Sequence, residues 1–203
     1  MDQLVGNAVV GQSGGPTAAI NATLAGVIRG VLENGKSTIG KLYGMRNGIE
    51  GLAAERLTDL DEIFADRTKL ELLEHTPAAA LGSCRKKLPA PGENDAVYEK
   101  ILAVFQKYNI RYFFYIGGND SMDTIAKLSR YGQRVDSSVR FIGVPKTIDN
   151  DLCLTDHTPG YGSAAKYIAT ILKEVIRDSS VYNIRSVTVA EIMGRHAGWL
   201  AGA

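Results

Sequence analysis

A lysine, a threonine and three acid or amide side chains lie close together in residues 145–151, which read Pro-Lys-Thr-Ile-Asp-Asn-Asp. Carboxylates hold cations and accept protons, and a lysine neutralises an oxyanion. The preceding residues 139–144 are β-branched or aromatic and end at Gly and Pro, which predicts a buried strand. The charged run therefore follows a strand end, where open α/β sheets bind their ligands. Taken alone, its Asp-Asn-Asp triplet is more typical of a solvated turn.

Three other runs rich in glycine or charge also follow predicted strands. They occupy residues 11–17, 117–121 and 193–195, and helical patterns follow them. A helix N-terminus after a glycine-rich turn presents unpaired N–H groups to an anion. A tight turn would explain Gly14 and Gly15 equally well.

The elements that must position these runs alternate between short apolar strands and amphipathic helices. The predicted strands cover residues 7–10, 38–43, 112–116, 139–144 and 185–192, and the predicted helices cover 18–33, 59–73, 95–108, 122–131 and 163–177, with another starting at Trp199, a residue expected in the core. This alternation predicts an α/β fold. We expect a Rossmann-like three-layer sandwich with a mainly parallel sheet over residues 1–158, followed by the start of a second α/β domain over residues 159–203.

Composition narrows the possible functions. The chain has 203 residues, 45% of them hydrophobic, and a formal net charge of +1, which gives no indication of a nucleic-acid partner. Cys84 and Cys153 have no metal-ligand spacing and are expected to be reduced thiols. No apolar run has the length of a membrane span, so the expected location is the cytoplasm. The last residues form the first turn of an apolar helix, so we expect the N-terminal portion of a longer protein.

Strand ends of a parallel sheet share one edge, so the four runs are expected to converge. Together they offer backbone N–H groups, carboxylates and the cations Arg85, Lys146 and Arg195, a combination suited to phosphoryl transfer. Residues 85–87 are a basic triplet, for which a solvated surface is the plainer explanation. Candidate oxygen ligands for Mg²⁺ lie within residues 119–120 and 149–151.

The motif set resembles that of the phosphofructokinase family. It comprises the Pro-Lys-Thr-Ile-Asp-Asn-Asp run, Gly-Gly-Asn-Asp-Ser over residues 117–121, Gly14-Gly15, Gly-Ser-Cys-Arg over residues 82–85, and Met193-Gly194-Arg195. The order of these motifs also agrees, and the resemblance is closest to the pyrophosphate-dependent branch. It implies reversible transfer of phosphate from pyrophosphate to the 1-hydroxyl of fructose 6-phosphate, giving fructose 1,6-bisphosphate in glycolysis.

The resemblance also implies a role for each matching position. Asp149 would accept the proton of the sugar hydroxyl, with Lys146, Asp120 and Arg85 as its catalytic companions. The residues implied at fructose 6-phosphate are Thr147, Asp151, Met193, Gly194 and Arg195, and those implied at the donor phosphate are Gly14, Gly15, Arg85 and Lys146. Asn119 falls at the Mg²⁺ position, where ATP-dependent relatives carry an Asp, so one metal-site charge is missing. The resemblance further implies a homo-oligomer, a dimer or tetramer, in which residues 1–203 alone would hold an incomplete sugar site.

Two positions bear on the phosphate donor. ATP-dependent members resemble one another in having Gly where this chain has Asp120, and often Gly where it has Lys146. A carboxylate at residue 120 would repel the α-phosphate of ATP, whereas pyrophosphate ends before that point. Asp120 could equally cap the helix that follows it. Two alternatives to a pyrophosphate-dependent enzyme are considered. One is an ATP-dependent phosphofructokinase, and the other, from another class, is a non-catalytic regulatory or sugar-phosphate-binding subunit.

Overall fold

A computed structural model describes residues 4–17 and 19–203. Its strands are β1 (Gly6–Gln12), β2 (Ile39–Met45), β3 (Leu57–Asp59), β4 (Ile110–Gly117) and β5 (Arg140–Pro145). Its helices are α1 (Ala19–Gly30), α2 (Gly48–Ala53), α3 (Leu60–Ile63), α4 (Arg67–His75), α5 (Ala96–Lys107), α6 (Asn119–Arg134), α7 (Tyr161–Ser179) and α8 (Trp199–Gly202), and a π-helical turn over Val31–Gly35 follows α1. The predicted helix over 18–33 thus begins at Ala19 among the described residues, since Ala18 lies outside them.

The five strands form one mainly parallel sheet in the order β3-β2-β1-β4-β5. β1 lies in the middle and pairs in parallel with β2 and β4, and β5 pairs in parallel with β4. Only the short β3 is antiparallel, along the outer edge of β2. The mainly parallel α/β sheet predicted from the sequence is confirmed. The strand predicted before the acidic run forms as β5, but it is an edge strand and is only partly buried, whereas the sequence predicted a buried one.

Apolar side chains cover both faces of the sheet, because successive strand residues point to opposite sides. In β1, Ala8 and Val10 join one buried cluster while Val9 joins the other. The first cluster also contains side chains of α1 and α4, and the second contains side chains of α5 and α6. This two-sided core forms the three-layer sandwich and holds the carboxyl ends of β1 and β4 at the same sheet edge.

The region predicted as one helix over residues 59–73 is three short elements. Asp59 ends β3 and caps α3, its carboxylate accepting hydrogen bonds from the amides of Asp61 and Glu62. Asp66 caps α4 in the same way through the amide of Thr68. An aspartate at an N-cap satisfies the unpaired N–H groups of a new helix. Asp59 therefore caps the predicted start, and Asp66 begins a second helix within the region that the charge pattern suggested was continuous.

The chain divides into two compact units, the first ending at Pro145 and the second covering Lys146–Ala203. This division precedes the acidic run, whereas the sequence placed the domain boundary after residue 158. Over Lys146–Ala203, all of which are described, the structure contains the helices α7 and α8 and no strand.

The strand predicted over residues 185–192 does not form. Val187 and Val189 are 90% and 88% exposed, so the alternation that predicted the strand has neither a sheet partner nor a core in the described unit. A strand needs a partner for its backbone hydrogen bonds. Trp199, expected in the core, is 59% exposed. Among the described residues, no helix is both long and apolar enough to cross a membrane.

Candidate functional site

The glycine-rich turn after β1 is joined to the loop that carries Arg85. The amide of Ser13 donates to the carbonyl of Ile116, which keeps this turn beside the end of β4. The amide of Gly14 donates to the carbonyl of Cys84 at 3.0 Å, and the hydroxyl of Ser83 donates to the carbonyl of Gly14. Gly14 has a φ of 78°, which favours glycine. Because its N–H is engaged by Cys84, Gly14 shapes the site through its backbone fold.

A small recess opens between these two segments and the start of α6. Its lining residues are Ser13, Gly14, Cys84, Arg85, Lys86, Tyr115, Asp120, Ser121 and Thr124. We call it the Arg85 recess. It brings together Gly14, Arg85 and Asp120, three residues that the sequence singled out. Arg85 and Lys86 are exposed at its wall, so the recess presents two cations to any ligand that enters it.

Gly15 lies next to the arginine. A Cβ atom built on Gly15 would lie 3.6 Å from a terminal guanidinium nitrogen of Arg85, an ordinary contact distance. Both predicted donor-site glycines therefore adjoin the arginine.

Asp120 lies at the rim of the recess, in the first turn of α6. The N-cap of this helix is Gly118, so the alternative in which Asp120 is merely the cap was wrong. Its carboxylate forms an ion pair with Lys87, 3.1 Å from the ammonium nitrogen, and both side chains are largely exposed. A negative charge in the first turn is favourable toward the helix dipole. Asn119, the first residue of α6, is also exposed beside it.

Polar side chains that the sequence interpretation missed form the floor of the recess. The hydroxyls of Ser13 and Ser121 are hydrogen bonded to each other. The hydroxyl of Tyr115 accepts from the amide of Ile49 at 3.3 Å and lies 3.6 Å from the Cys84 sulfur. Tyr115 could have been found from the sequence, because a tyrosine in an otherwise apolar buried strand needs a partner for its hydroxyl.

The acidic run of the second unit is a loop braced by its own side chains. The middle residue of the triplet, Asn150, has a φ of 56°. Its side-chain oxygen accepts from the amide of Thr158, and its side-chain nitrogen donates to the carbonyl of Asp156. The hydroxyl of Thr158 donates to the carbonyl of Thr147 at 2.6 Å. Asn150 therefore has a scaffolding role.

The acidic side chains on either side of Asn150 differ in their exposure. The amide of Asp149 donates to the hydroxyl of Thr147 at 3.0 Å, and the side chain of Asp149 is partly exposed. Asp151 is exposed, whereas Lys146 is 7% exposed. The solvated-turn interpretation describes the backbone correctly but does not account for the burial of Lys146.

The Met193-Gly194-Arg195 run forms a tight turn in the same unit, although no strand precedes it. The amide of Ala197 donates to the carbonyl of Gly194 at 2.7 Å. Gly194 has a φ of 151°, and a Cβ atom there would stand 2.1 Å from the Ala197 oxygen, which requires glycine. Met193 and Arg195 are exposed.

The predicted residues thus fall into three groups. Gly14, Gly15, Arg85, Asn119 and Asp120 lie at or beside the Arg85 recess of the first unit, whereas Lys146, Thr147, Asp149 and Asp151 share one loop of the second unit, and Met193, Gly194 and Arg195 form a separate turn. Among the described residues, no three His, Cys, Asp or Glu side chains are arranged to hold a metal ion. The two cysteines are free thiols, as predicted.

The chain is similar in sequence to known proteins. A family model described as phosphofructokinase matches residues 7–203. The pyrophosphate–fructose 6-phosphate 1-phosphotransferase of Halomonas elongata is 46% identical over 199 residues, covering 97% of this chain and 47% of that protein. An ATP-dependent 6-phosphofructokinase of Clostridioides difficile is 34% identical over 189 residues, covering 93% of this chain and 53% of the relative.

A solved structure agrees in fold. The crystal structure of a pyrophosphate-dependent phosphofructokinase from Nitrosospira multiformis superposes with a TM-score of 0.85 at 44% identity, covering 96% of this chain and 48% of that one. The chain thus spans about half the length of the curated relatives it matches.

Proposed function

Because the chain belongs to the phosphofructokinase family, we propose that its full-length protein transfers a phosphoryl group from pyrophosphate to the 1-hydroxyl of fructose 6-phosphate. The products are fructose 1,6-bisphosphate and inorganic phosphate, and the reaction is reversible. Four relatives named for this activity are 41–46% identical to the chain over nearly its whole length, which supports the proposal. The proposal concerns the full-length protein, because the chain spans about half the length of these relatives.

The observation that carries the proposal is the Arg85 recess. Its two exposed cations and its hydroxyls suit a small polyanion, and phosphoryl transfer depends mainly on positioning and charge stabilisation.

In the proposed reaction, the 1-oxygen of the sugar forms a bond to one phosphorus of pyrophosphate while the bond from that phosphorus to the bridging oxygen breaks. Asp149 takes the proton of the 1-hydroxyl, and the bridging oxygen leaves as part of inorganic phosphate. Lys146 and Arg85 neutralise the charge on the transferring group and the leaving phosphate. We assign fructose 6-phosphate to Thr147, Asp151, Met193, Gly194 and Arg195, and the donor phosphate also to Gly14 and Gly15.

We infer that Mg²⁺ accompanies the donor. Mg²⁺ keeps several waters and is usually bound by one or two protein oxygens together with substrate phosphates. The exposed side chains of Asn119 and Asp120 at the edge of the recess fit this kind of binding. When bound there, the ion would neutralise phosphate charge in the transition state.

We also infer a cytoplasmic homo-oligomer, a dimer or tetramer. Its proposed substrates are glycolytic sugar phosphates. The exposed apolar side chains of Tyr167, Ile171 and Val175 recur every four residues on α7 and form the kind of surface that subunit or domain packing covers.

Asp120→Gly should relax the discrimination against ATP. The substitution removes a side chain and a negative charge from the rim of the recess, where the additional phosphate of ATP would pass. We expect kcat/KM with ATP to rise about tenfold, which corresponds to roughly 1.4 kcal/mol. Steady-state kinetics of the full-length protein with each donor, at saturating fructose 6-phosphate, measure the ratio.

Asp123→Gly is the matched control, since it makes the same change one turn along α6 at a residue outside the recess. Its donor ratio should equal that of the unsubstituted protein. An unchanged ratio in Asp120→Gly would show that Asp120 does not select the donor. A faster reaction with ATP than with pyrophosphate in the unsubstituted protein would favour the ATP-dependent alternative.

A further inference from the structure

Tyr115 has a buried hydroxyl directly beneath the Arg85 recess. The residue is 1% exposed and belongs to β4, where its ring packs against that of Phe113. Its hydroxyl is not needed for packing, since phenylalanine would fill the same apolar space. A buried hydroxyl is costly unless it is hydrogen bonded. The partners of this hydroxyl therefore indicate why it is there.

These partners belong to segments that are far apart in sequence. The amide of Ile49, in the first turn of α2, donates to the hydroxyl at 3.3 Å. The Cys84 sulfur, in the loop carrying Arg85, lies 3.6 Å away. The third polar neighbour is the side chain of Ser13, which follows β1 and lowers the pKa of the tyrosine hydroxyl. One hydroxyl thus joins the turn after β1, the Arg85 loop and the start of α2.

The packing around the hydroxyl is close. A Cβ atom on Gly48 would stand 2.8 Å from the tyrosine oxygen and 2.7 Å from the Cys84 sulfur. Gly48 has a φ of 58°, so both its conformation and its lack of a side chain suit this approach. A side chain at residue 48 would therefore displace the Cys84 sulfur or the tyrosine hydroxyl.

Burial raises the pKa of Tyr115 well above its ordinary value, and the side chain of Ser13 opposes part of that rise. A tyrosine hydroxyl is protonated at neutral pH and can both donate and accept hydrogen bonds. Its neighbour Cys84 precedes Arg85 in the chain, and the Cys84 carbonyl accepts the Gly14 amide. The position of the Arg85 backbone relative to the glycine turn thus depends on contacts that reach the tyrosine.

We propose that the hydroxyl of Tyr115 is a positioning group for the phosphate donor: it sets the spacing between the Arg85 loop and the turn that carries Ser13 and Gly14. Tyr115 is almost fully buried in the floor of the recess, so we assign its effect on the donor to its contacts with Cys84 and Ser13. The proposal rests on the proposed function, because it assigns the Arg85 recess to pyrophosphate.

Tyr115→Phe removes this one oxygen atom and keeps the ring. We expect the KM for pyrophosphate and its Kd, measured by calorimetry on the full-length protein, to rise about tenfold, the scale of one lost buried hydrogen bond. The KM for fructose 6-phosphate should stay within about twofold of the original value. A purely structural hydroxyl would not separate the two substrates in this way.

Tyr98→Phe is a matched control. Tyr98 is buried in the same apolar cluster, and its hydroxyl donates to the carbonyl of Pro89 away from the recess. This variant also loses one buried hydrogen bond, so its unfolding temperature should fall while its KM for pyrophosphate stays unchanged.

Two results would overturn the proposal, and they are distinguishable. If the unsubstituted protein binds pyrophosphate and Tyr115→Phe has the same Kd as Tyr98→Phe, the positioning role is wrong while the proposed function stands. If the unsubstituted protein neither binds nor uses pyrophosphate, both fail.

Should Tyr115→Phe not accumulate as folded protein, Cys84→Ala tests the proposal instead. It removes the sulfur that links the tyrosine to the Arg85 loop, and a rise of about threefold in the Kd for pyrophosphate is expected, whereas no rise would overturn the proposal.

Discussion

Replacing Asp149 with asparagine should lower kcat by about 10²- to 10⁴-fold, the usual contribution of a general base. Asparagine has nearly the same shape as aspartate, so the hydrogen bond from the residue-149 amide to the Thr147 hydroxyl should persist. The loop is also braced through Asn150 and Thr158, which the substitution leaves intact. The loss should therefore be chemical, with the Kd values for pyrophosphate and fructose 6-phosphate within about threefold of their original values.

The measurement is single-turnover kinetics together with calorimetry on the full-length protein. Asp178→Asn is the control, because it removes one carboxylate from an exposed position on α7 in the same unit. Near-normal turnover in Asp149→Asn would contradict the assignment of the base. A large loss in both variants would indicate a general effect of charge.

Replacing Arg85 with glutamine should lower kcat/KM for pyrophosphate by about 10²- to 10³-fold. The guanidinium lies at the wall of the recess, and a cation aimed at developing phosphoryl charge stabilises the transition state more than the ground state. The fall should therefore appear mainly in kcat, with a smaller rise in the KM for pyrophosphate. Steady-state kinetics with pyrophosphate as the varied substrate separate the two effects.

Arg130→Gln provides the comparison, since Arg130 is an exposed arginine of α6 outside the recess. The same loss of charge there should leave kcat/KM within about twofold. If Arg85→Gln also changed kcat/KM by less than threefold, Arg85 would be the solvated surface residue that its basic neighbours first suggested.

The fold of the first unit was predictable because its strands carry strong local signals. Residues 112–116 form a continuous apolar and aromatic run, which is typical of a strand covered on both faces. β4 is such a strand. α6 began earlier than predicted, since Asn119 and Asp120 resemble turn residues yet suit the first turn of a helix. The antiparallel β3 was missed because three residues are too few to show alternation.

The errors in the second unit have a different physical cause. Alternating Val187 and Val189 favour a strand only where a neighbouring strand and a core are present, and the described unit provides neither. The exposed Trp199 has the same cause, because apolar character indicates burial only when something covers the side chain.

The site was predictable where its residues are neighbours in sequence. The carboxylates of the Asp-Asn-Asp run could be recognised from the sequence as candidate site residues. Only the structure shows that Asn150 braces the loop. The floor of the Arg85 recess was not predictable in detail, because Tyr115 is 31 residues from Cys84 and 66 from Ile49. Contacts over such separations depend on the sheet order, which the sequence indicates only as a fold class.

The most direct test of the central claim is a ³¹P NMR time course of the full-length protein with pyrophosphate, fructose 6-phosphate and Mg²⁺. We expect the pyrophosphate signal to fall while the signals of a new sugar phosphate ester and inorganic phosphate rise in equal amounts. Adding fructose 1,6-bisphosphate and inorganic phosphate should regenerate pyrophosphate. A stable pyrophosphate signal, in a sample that forms the same ester when given ATP, would contradict the claim.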